Sequence, residues 1–385
     1  PLCDAFIEAA SQTGLPKHND YNAESQRGAG YYQRFIYQGK RETVASAFLK
    51  PAMKKYPIDL RLRSQVTRIL FDQRKAVGVE VDRDGSVQRL TARAEIILSA
   101  GTVNSSRLLE LSGVGNSERL AALGISLVHA LPGVGENFQD HYFVRLAARV
   151  RAGTSTLNSQ AKGLRLIREV ARWVAGKPSI LSWSPSIAYA FLNSNDPEGS
   201  PDLQFVFSHG SYKPGRVYEL DDFPAVTCGF TQQRPESRGT VHITSPDFRD
   251  YPEVQPNYLC TDLDQRTAIR GIKLARTFLN SEALRPWFEN EEVPGIHVDD
   301  DDSLLEYARN TGNTGYHLVG TCTMGPATNP MAVVSPELHV HGIENLRVVD
   351  ASIMPSVTSS NTCAASIMIG EKGADMIINA NKNAG

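Results

Sequence analysis

Three polar side chains near the C-terminus have the types and surroundings that proton-transfer chemistry requires. His317 lies in a short segment bounded by glycines, Asp350 follows the apolar stretch 346–349, and Asn361 stands where a helix is predicted to begin. An imidazole titrates near neutral pH and can accept a hydroxyl proton. Such a set suits a redox site on an α/β sheet. Each residue also has a structural interpretation: a core histidine, a turn aspartate and a helix N-cap.

A strand followed at once by a helix is predicted to support this chemistry. Residues 94–101 form an apolar run that ends in Ala100 and Gly101, and a helical pattern follows over 103–111. This order is typical of a buried parallel strand with a crossover connection. The small residues allow close approach of a ligand or simply a tight turn. The helix N-terminus would present N–H groups to an anion.

The segment before this unit and the middle of the chain have different patterns. Short strands are predicted at 58–63, 65–71, 76–81 and 86–92, with a hairpin turn at Asp84-Gly85, and Val66 is by pattern a strand residue. A helix is predicted at 41–49 and is expected to end at Pro51. Between residues 142 and 311, alternating strands and a long helix indicate an α+β segment with an antiparallel sheet. A basic amphipathic helix is predicted at 164–174. Its charged residues are interpreted as a solvated face: Lys162, Arg165, Arg168 and Arg172.

Composition excludes several classes of protein. The chain has 385 residues and a net charge of −2, so nothing in the overall charge favours binding to nucleic acid or to an anionic membrane. Its five cysteines are scattered without CxxC spacing, which argues against a disulfide framework and a zinc site. His339 and His341 share one strand face, but no third ligand is evident, and no metal site is predicted. The first residues read as a helix already under way, so the chain is expected to begin inside a larger protein and localisation is left unknown, either cytoplasmic or membrane-peripheral.

The phosphate-binding loop expected of an α/β redox protein is missing. A GxGxxG motif should connect a strand to a helix. The GxG triplets that begin at Gly28, Gly113 and Gly133 lack the third glycine, and none directly follows an apolar strand. Either the protein binds no dinucleotide, or the loop lies upstream of residue 1.

The order of several motifs resembles the glucose–methanol–choline (GMC) oxidoreductase family, and specifically its choline-dehydrogenase-like members. Residues 101–115 resemble the second family signature, with Ser105-Ser106 where Ser-Pro is common. Residues 132–141 resemble the PGVGxNxQDH element, and residues 316–325 resemble YHPxGTCxMG with Leu318 in place of proline. The closing flavin motifs are similar to 349–355 and 361–377.

The resemblance implies an FAD-dependent enzyme that oxidises a primary alcohol to an aldehyde. It implies an incomplete FAD-binding Rossmann-type domain at 57–141 and 312–385, with an antiparallel-sheet substrate domain at 142–311. Residues 1–56 would be the segment that follows the missing N-terminal part. In this interpretation His317 accepts the hydroxyl proton, Asn361 positions the oxygen, and hydride passes to flavin N5. The residues expected to contact FAD are Val66, Ala100, Gly101, Asp350, Ala351, Asn361 and Thr362.

Other functions stay open at this point. The same scaffold could perform non-oxidative or light-driven flavin chemistry, or the chain could be a flavin-free part of a larger assembly. The expected partners are a small-molecule alcohol, oxygen or another electron acceptor, and the missing N-terminal segment or a second copy of the chain. Asp140 and His141 are interpreted as a polar turn at a domain boundary.

Overall fold

The computed structural model describes residues 1–184, 186–213, 216 and 219–383. The chain forms two compact units. Unit 1 comprises Pro1–Pro57, Tyr142–Gln233 and Leu259–Thr314. Unit 2 comprises Ile58–His141, Arg234–Tyr258 and Gly315–Gly385. The segment Arg234–Tyr258 therefore lies in unit 2, although the sequence assigned it to the middle domain. The functional labels of the units stay predictions.

The helices and strands are numbered in chain order. The helices are α1 (Leu2–Gln12), α2 (Lys50–Met53), α3 (Gly101–Leu111), α4 (Ser117–Ala122), α5 (Leu157–Gln160), α6 (Gly163–Val174), α7 (Asp262–Leu279), α8 (Asp301–Thr311) and α9 (Cys363–Asn383). Three shorter turns are a π-helical one at Ala45–Leu49 and 3-10 turns at Ile180–Ser182 and Ala351–Ile353. Within the described residues, no helix has the length and apolar character needed to cross a membrane.

The described strands are between two and nine residues long in both units. They are β1 (Gly28–Tyr31), β2 (Ile36–Tyr37), β3 (Lys40–Arg41), β4 (Gln65–Asp72), β5 (Lys75–Arg83), β6 (Ser86–Thr91), β7 (Ile96–Leu98), β8 (Val114–Gly115), β9 (His129–Ala130), β10 (Tyr142–Val150), β11 (Ala188–Leu192), β12 (Leu203–Ser208), β13 (Ala225–Gln232), β14 (Thr240–His242), β15 (Glu253–Gln255), β16 (Phe288–Val293), β17 (Asn313–Thr314) and β18 (Leu346–Val348).

Unit 1 is built on an antiparallel sheet, which confirms the prediction for the middle of the chain. Its strand order is β1-β11-β12-β13-β10-β16, and β17 also pairs with β10. The strands are rich in aromatic and β-branched residues, and β11 is buried along its whole length. Helices α1 and α7 pack on the sheet through Phe6, which stacks on Phe207 with ring centroids 4.6 Å apart and meets Phe278 edge-on.

Unit 2 contains the parallel pair β7 and β18, in which Ile96, Ile97 and Leu98 lie beside residues 346–348. Helix α3 follows β7 directly, as the strand–helix pattern predicted. Strands β4, β5 and β6 form an antiparallel sheet whose β5–β6 turn is at Asp84-Gly85, the predicted hairpin signal.

A buried acidic and basic cluster ties the β14–β15 hairpin to the rest of unit 2. His242 Nδ1 lies 2.8 Å from Glu110 Oε1, and His242 Nε2 lies 3.1 Å from Glu136 Oε1. The Ile243 N–H donates to Glu110 Oε2 at 2.8 Å. Glu110 and His242 are both buried. This cluster accounts for the placement of Arg234–Tyr258 in unit 2, because a buried carboxylate must keep its donors.

Two local predictions were wrong. No strand forms at 58–63, where Ile58, Leu60 and Leu62 are exposed and no neighbouring strand offers backbone partners. Pro51 was expected to end a helix. It instead lies in the first turn of α2, where a missing N–H costs little because that position has no partner within the helix.

Candidate active site

His317 lies in a segment that is joined by backbone hydrogen bonds to residues 139–141. Gln139 and Val319 exchange two backbone hydrogen bonds of 3.0 and 2.9 Å. The Gly315 N–H donates to the carbonyl of His141 at 2.7 Å. These bonds hold the histidine segment antiparallel to the Gln139–His141 segment, so the positions of the two imidazoles are fixed by main chain as well as by packing.

Asp140 anchors the backbone of His317 itself. Its Oδ1 accepts the His317 N–H at 2.8 Å, and its Oδ2 accepts the hydroxyl of Tyr258 at 2.5 Å. Tyr316, just before the histidine, has φ of +60°, a conformation that costs a residue with a Cβ about 1 kcal/mol or more. The charge-assisted bond to Asp140 offsets that strain. Asp140 is therefore a fixed support for the histidine segment rather than only a polar turn residue.

Three side chains form a chain of contacts through the His317 ring. Asn361 Nδ2 lies 2.9 Å from His317 Nε2, and His141 Nδ1 lies 2.9 Å from His317 Nδ1. An amide NH₂ only donates, so Nε2 of His317 is the acceptor and its proton is on Nδ1. The two Nδ1 atoms can share one proton between them, so Nδ1 of His141 accepts. This arrangement leaves a lone pair on Nε2 of His317.

Burial and charge act in opposite directions on this ring. Burial lowers the pKa of His317 below the ordinary imidazole value, and the Asp140 carboxylate partly opposes the shift. The ring is thus neutral near pH 7, the state that a general base needs. His317 is partly buried and Asn361 is exposed, so the Nε2 end of the ring is the more accessible end within the unit.

Asp350 joins the end of β18 to the start of α3. Its Oδ2 accepts from the Gly101 N–H at 2.9 Å and from the Ser105 hydroxyl at 2.5 Å, and its Oδ1 accepts from the Ser352 N–H at 2.8 Å. The helix terminus that the sequence offered to an anion therefore already binds this carboxylate. A ligand at this point would meet backbone at Gly101 and Ala351 more readily than the Asp350 carboxylate.

Val66 and Ala100 line one cleft of about 390 Å³ on unit 2. Leu98, Asn104 and Phe248 belong to the same lining. A cleft of this size with mixed apolar and polar walls can hold a planar ring of a nucleotide cofactor. Two of the residues predicted to contact FAD are thus brought together here, and the present residues fit one end of such a cofactor.

The remaining predicted cofactor residues lie at the start of the last helix. Helix α9 begins at Cys363, so Asn361 lies in the preceding turn and is not yet helical. Thr362 is buried, and its carbonyl accepts the N–H of Ser366 at 2.9 Å. Ala351 lies in the 3-10 turn after β18. The contact of these residues with FAD stays a prediction.

Sequence reasoning missed the roles of His141, Asp140 and Tyr258 in supporting His317. The run Gln139-Asp140-His141 was visible as a polar stretch in a recognised motif, but its partner is 176 positions away in the chain. Nothing in the spacing of Tyr258 indicates Asp140. His341, by contrast, contacts the Gly325 carbonyl through Nε2. No group of three or more His, Cys, Asp or Glu side chains suited to a metal was found in the described part of the chain.

Sequence comparison places these residues in a known context. Sequence models described as GMC oxidoreductase match residues 1–143 and 235–370. The chain is 38% identical over 378 residues to the mitochondrial choline dehydrogenase of Homo sapiens, and the match covers 98% of this chain and 63% of that protein. It is 36% identical over 384 residues to "alcohol dehydrogenase [acceptor]" of Pseudomonas putida, covering 98% of this chain and 68% of the relative. The chain thus spans roughly two-thirds of these relatives.

Structural comparison gives the same fold. The crystal structure of pyridoxine 4-oxidase from Mesorbium loti superposes with a TM-score of 0.84 at 27% identity. The match covers 97% of this chain and 69% of that one.

Proposed function

Because the chain belongs to the GMC oxidoreductase family, whose members are FAD-dependent, we propose that the protein containing it oxidises a primary alcohol to an aldehyde. The electron acceptor is oxygen or another oxidant, as the names of the relatives include both an oxygen-dependent choline dehydrogenase and an alcohol dehydrogenase with an unspecified acceptor. This reaction class agrees with a site whose central group is a neutral imidazole flanked by an amide.

The contact between His317 and Asn361 carries the proposal. Nε2 of His317 is unprotonated and lies 2.9 Å from the Asn361 amide. A substrate hydroxyl that replaces this hydrogen bond gives its proton to Nε2, and the Asn361 NH₂ then donates a hydrogen bond to the substrate oxygen. When bound, FAD supplies the redox chemistry by accepting the hydride from the substrate carbon at N5. Loss of one proton and one hydride turns the alcohol into an aldehyde.

The supporting residues determine which nitrogen acts. His141 accepts the Nδ1 proton of His317, so the proton taken from the substrate goes to the opposite nitrogen. Asp140 holds the His317 backbone and favours the positive charge that the ring gains on proton uptake. We assign the flavin to the side of unit 2 that Val66, Ala100 and Gly101 form. Asp350 and Thr362 would lie close to the cofactor there, and their role would be structural.

Rapid-reaction measurement of flavin reduction in the flavin-loaded protein tests this function. His317→Ala should slow anaerobic reduction by alcohol about 10²-fold to 10⁴-fold, the typical contribution of a general base, while the visible flavin spectrum is retained. His339→Ala is the matched control, because His339 is also a partly buried histidine but lies in a separate backbone segment that pairs with Arg347. A panel of choline, aryl and long-chain alcohols, with oxygen and with a dye acceptor, identifies the substrate and acceptor.

Three results would contradict the proposal. Reduction of the His317→Ala protein near the wild-type rate would remove the base assignment. Flavin that alcohols never bleach would favour non-oxidative or light-driven chemistry, and purified protein without flavin bands would favour a flavin-free assembly.

A further inference from the structure

We propose that α6 is a membrane-surface helix that docks unit 1 onto an anionic lipid bilayer. The apolar side of α6 faces solvent instead of the core. Leu164, Ile167 and Val174 are 84%, 64% and 75% exposed. Surface helices of globular proteins usually direct such a stripe inward, so this orientation needs a partner.

The exposed stripe follows the helical period. Leu164, Ile167, Ala171 and Val174 recur at intervals of three and four residues, which places them on one face, and all four are exposed. Val170 borders the same face and is also exposed. No residue of α6 is buried. The stripe, called here the α6 apolar face, is defined by these five residues.

The polar side of α6 is the side that attaches to the protein. Glu169 accepts the Ile180 N–H at 3.0 Å through Oε2, and its carbonyl accepts the Ser179 hydroxyl at 2.9 Å. Arg172 Nε donates to the Pro178 carbonyl at 2.9 Å. These bonds join the polar side of α6 to the segment that directly follows the helix. The α6 apolar face lies on the other side of the helix and is left exposed.

The charge next to this face selects anionic lipid as the occupant. Residues 162–177 contain five basic side chains and one acidic side chain, Glu169, whereas the whole chain has a net charge of −2. Arg168 borders the apolar stripe beside Leu164, Arg165 lies further round on the polar side, and both are exposed. Long basic side chains beside an apolar stripe can place their charges at lipid phosphates while their stems and the stripe lie deeper.

The same charge argues against a second copy of this chain as the occupant. Two α6 faces brought together would place like-charged arginines side by side, which is unfavourable where they are desolvated. A lipid surface with negative headgroups instead complements them. Docking through α6 is peripheral binding, in agreement with the finding that no described helix could cross a membrane.

Co-sedimentation of the purified, flavin-loaded protein with lipid vesicles tests this inference. Vesicles of phosphatidylcholine mixed with phosphatidylserine should bind the protein at least ~10-fold more tightly than phosphatidylcholine alone, and high salt should weaken binding. Ile167→Glu should lower binding to the mixed vesicles by at least ~10-fold, since it places a charge in the apolar face. Ile296→Glu is the matched control, because Ile296 is likewise an exposed isoleucine, at 78%, but lies outside α6.

The outcomes separate the possible occupants. Binding that is lost in Ile167→Glu, weakened in Arg168→Glu and retained in Ile296→Glu supports the inference. No vesicle binding by the wild-type protein overturns it. Light scattering that shows a dimer which Ile167→Glu converts to a monomer, without vesicle binding, would assign the face to a second copy instead. Because the readout is binding, the result does not depend on the proposed alcohol oxidation.

Discussion

The Nδ1 atoms of His141 and His317 lie 2.9 Å apart, and only one of them can carry the proton between them. The Asn361 amide on the far side of the His317 ring assigns that proton to His317. His141 is completely buried, so it cannot contact substrate through an exposed edge of unit 2. It acts by selecting the tautomer of the neighbouring ring.

The effect of replacing His141 on activity should therefore depend on whether the new side chain can accept the Nδ1 proton of His317. His141→Asn places an amide oxygen near the former Nδ1 position and should retain flavin reduction within about 10-fold of wild type. His141→Leu removes the acceptor and should slow reduction about 10²-fold or more. Stopped-flow spectroscopy measures both. Equal rates for the two variants would show that His141 contributes only packing.

The Asp140–Tyr258 contact should control the position of His317 without changing substrate affinity. Tyr258→Phe deletes the donor to Asp140 Oδ2 and should lower kcat by roughly 10-fold with little change in KM, because a small displacement of the proposed base mainly affects the transition state. Steady-state kinetics across alcohol concentrations measures this split. A rise in KM with an unchanged kcat would place Tyr258 in substrate binding.

The pH dependence follows from the direction of the His317 shift. Burial lowers the pKa of His317, and the proposed base must be neutral, so kcat/KM should fall only as pH drops through a value below the ordinary ~6.5 of imidazole. Asp140 raises the pKa of this ring against burial. Asp140→Asn should therefore shift the acidic limb to still lower pH. A limb at or above the ordinary value, or one that does not move in Asp140→Asn, would contradict this account.

The buried Glu110 should matter for stability rather than catalysis. Glu110→Ala leaves the Ile243 N–H and one nitrogen of His242 without their acceptor and should lower the free energy of unfolding by about 3 kcal/mol. Urea denaturation measures the change. Glu118→Ala, at an exposed position of α4, is the control and should change the free energy of unfolding by only about 0.5 kcal/mol. Similar losses for both variants would argue against a special role for the buried cluster.

Much of the fold could be predicted because it depends on local patterns. The β7–α3 unit, the Asp84-Gly85 turn and the antiparallel sheet of unit 1 follow from apolar runs, small residues and alternation. The prediction of a strand at 58–63 was wrong because alternation of apolar and polar residues does not by itself provide a neighbouring strand to pair with. The prediction for Pro51 was wrong because a proline ends a helix from an interior position but is tolerated in the first turn.

The candidate site was predictable only in part, because some of its residues act through contacts between distant parts of the chain. His317 and Asn361 were identified from motif resemblance, and they are in contact, but their roles stay predictions. His141 and Tyr258 act through contacts that span 176 and 118 positions along the chain. Such contacts depend on register and side-chain direction in the folded unit. The α3 terminus shows the same limit, since the sequence could not reveal that Asp350 supplies its anion.

The chain leaves unit 2 immediately after His141 and returns for the last time at Gly315, two residues before His317. The Gly315–His141 backbone bond closes this loop at its base, so the two histidines meet at the root of a long insertion. The backbone bonds that hold the His317 segment lie within unit 2 and do not depend on the residues inserted in unit 1. We therefore expect chimeras that exchange Tyr142–Gln233 and Leu259–Thr314, but keep Arg234–Tyr258 with its donor to Asp140, to retain the 2.9 Å contact between His141 and His317.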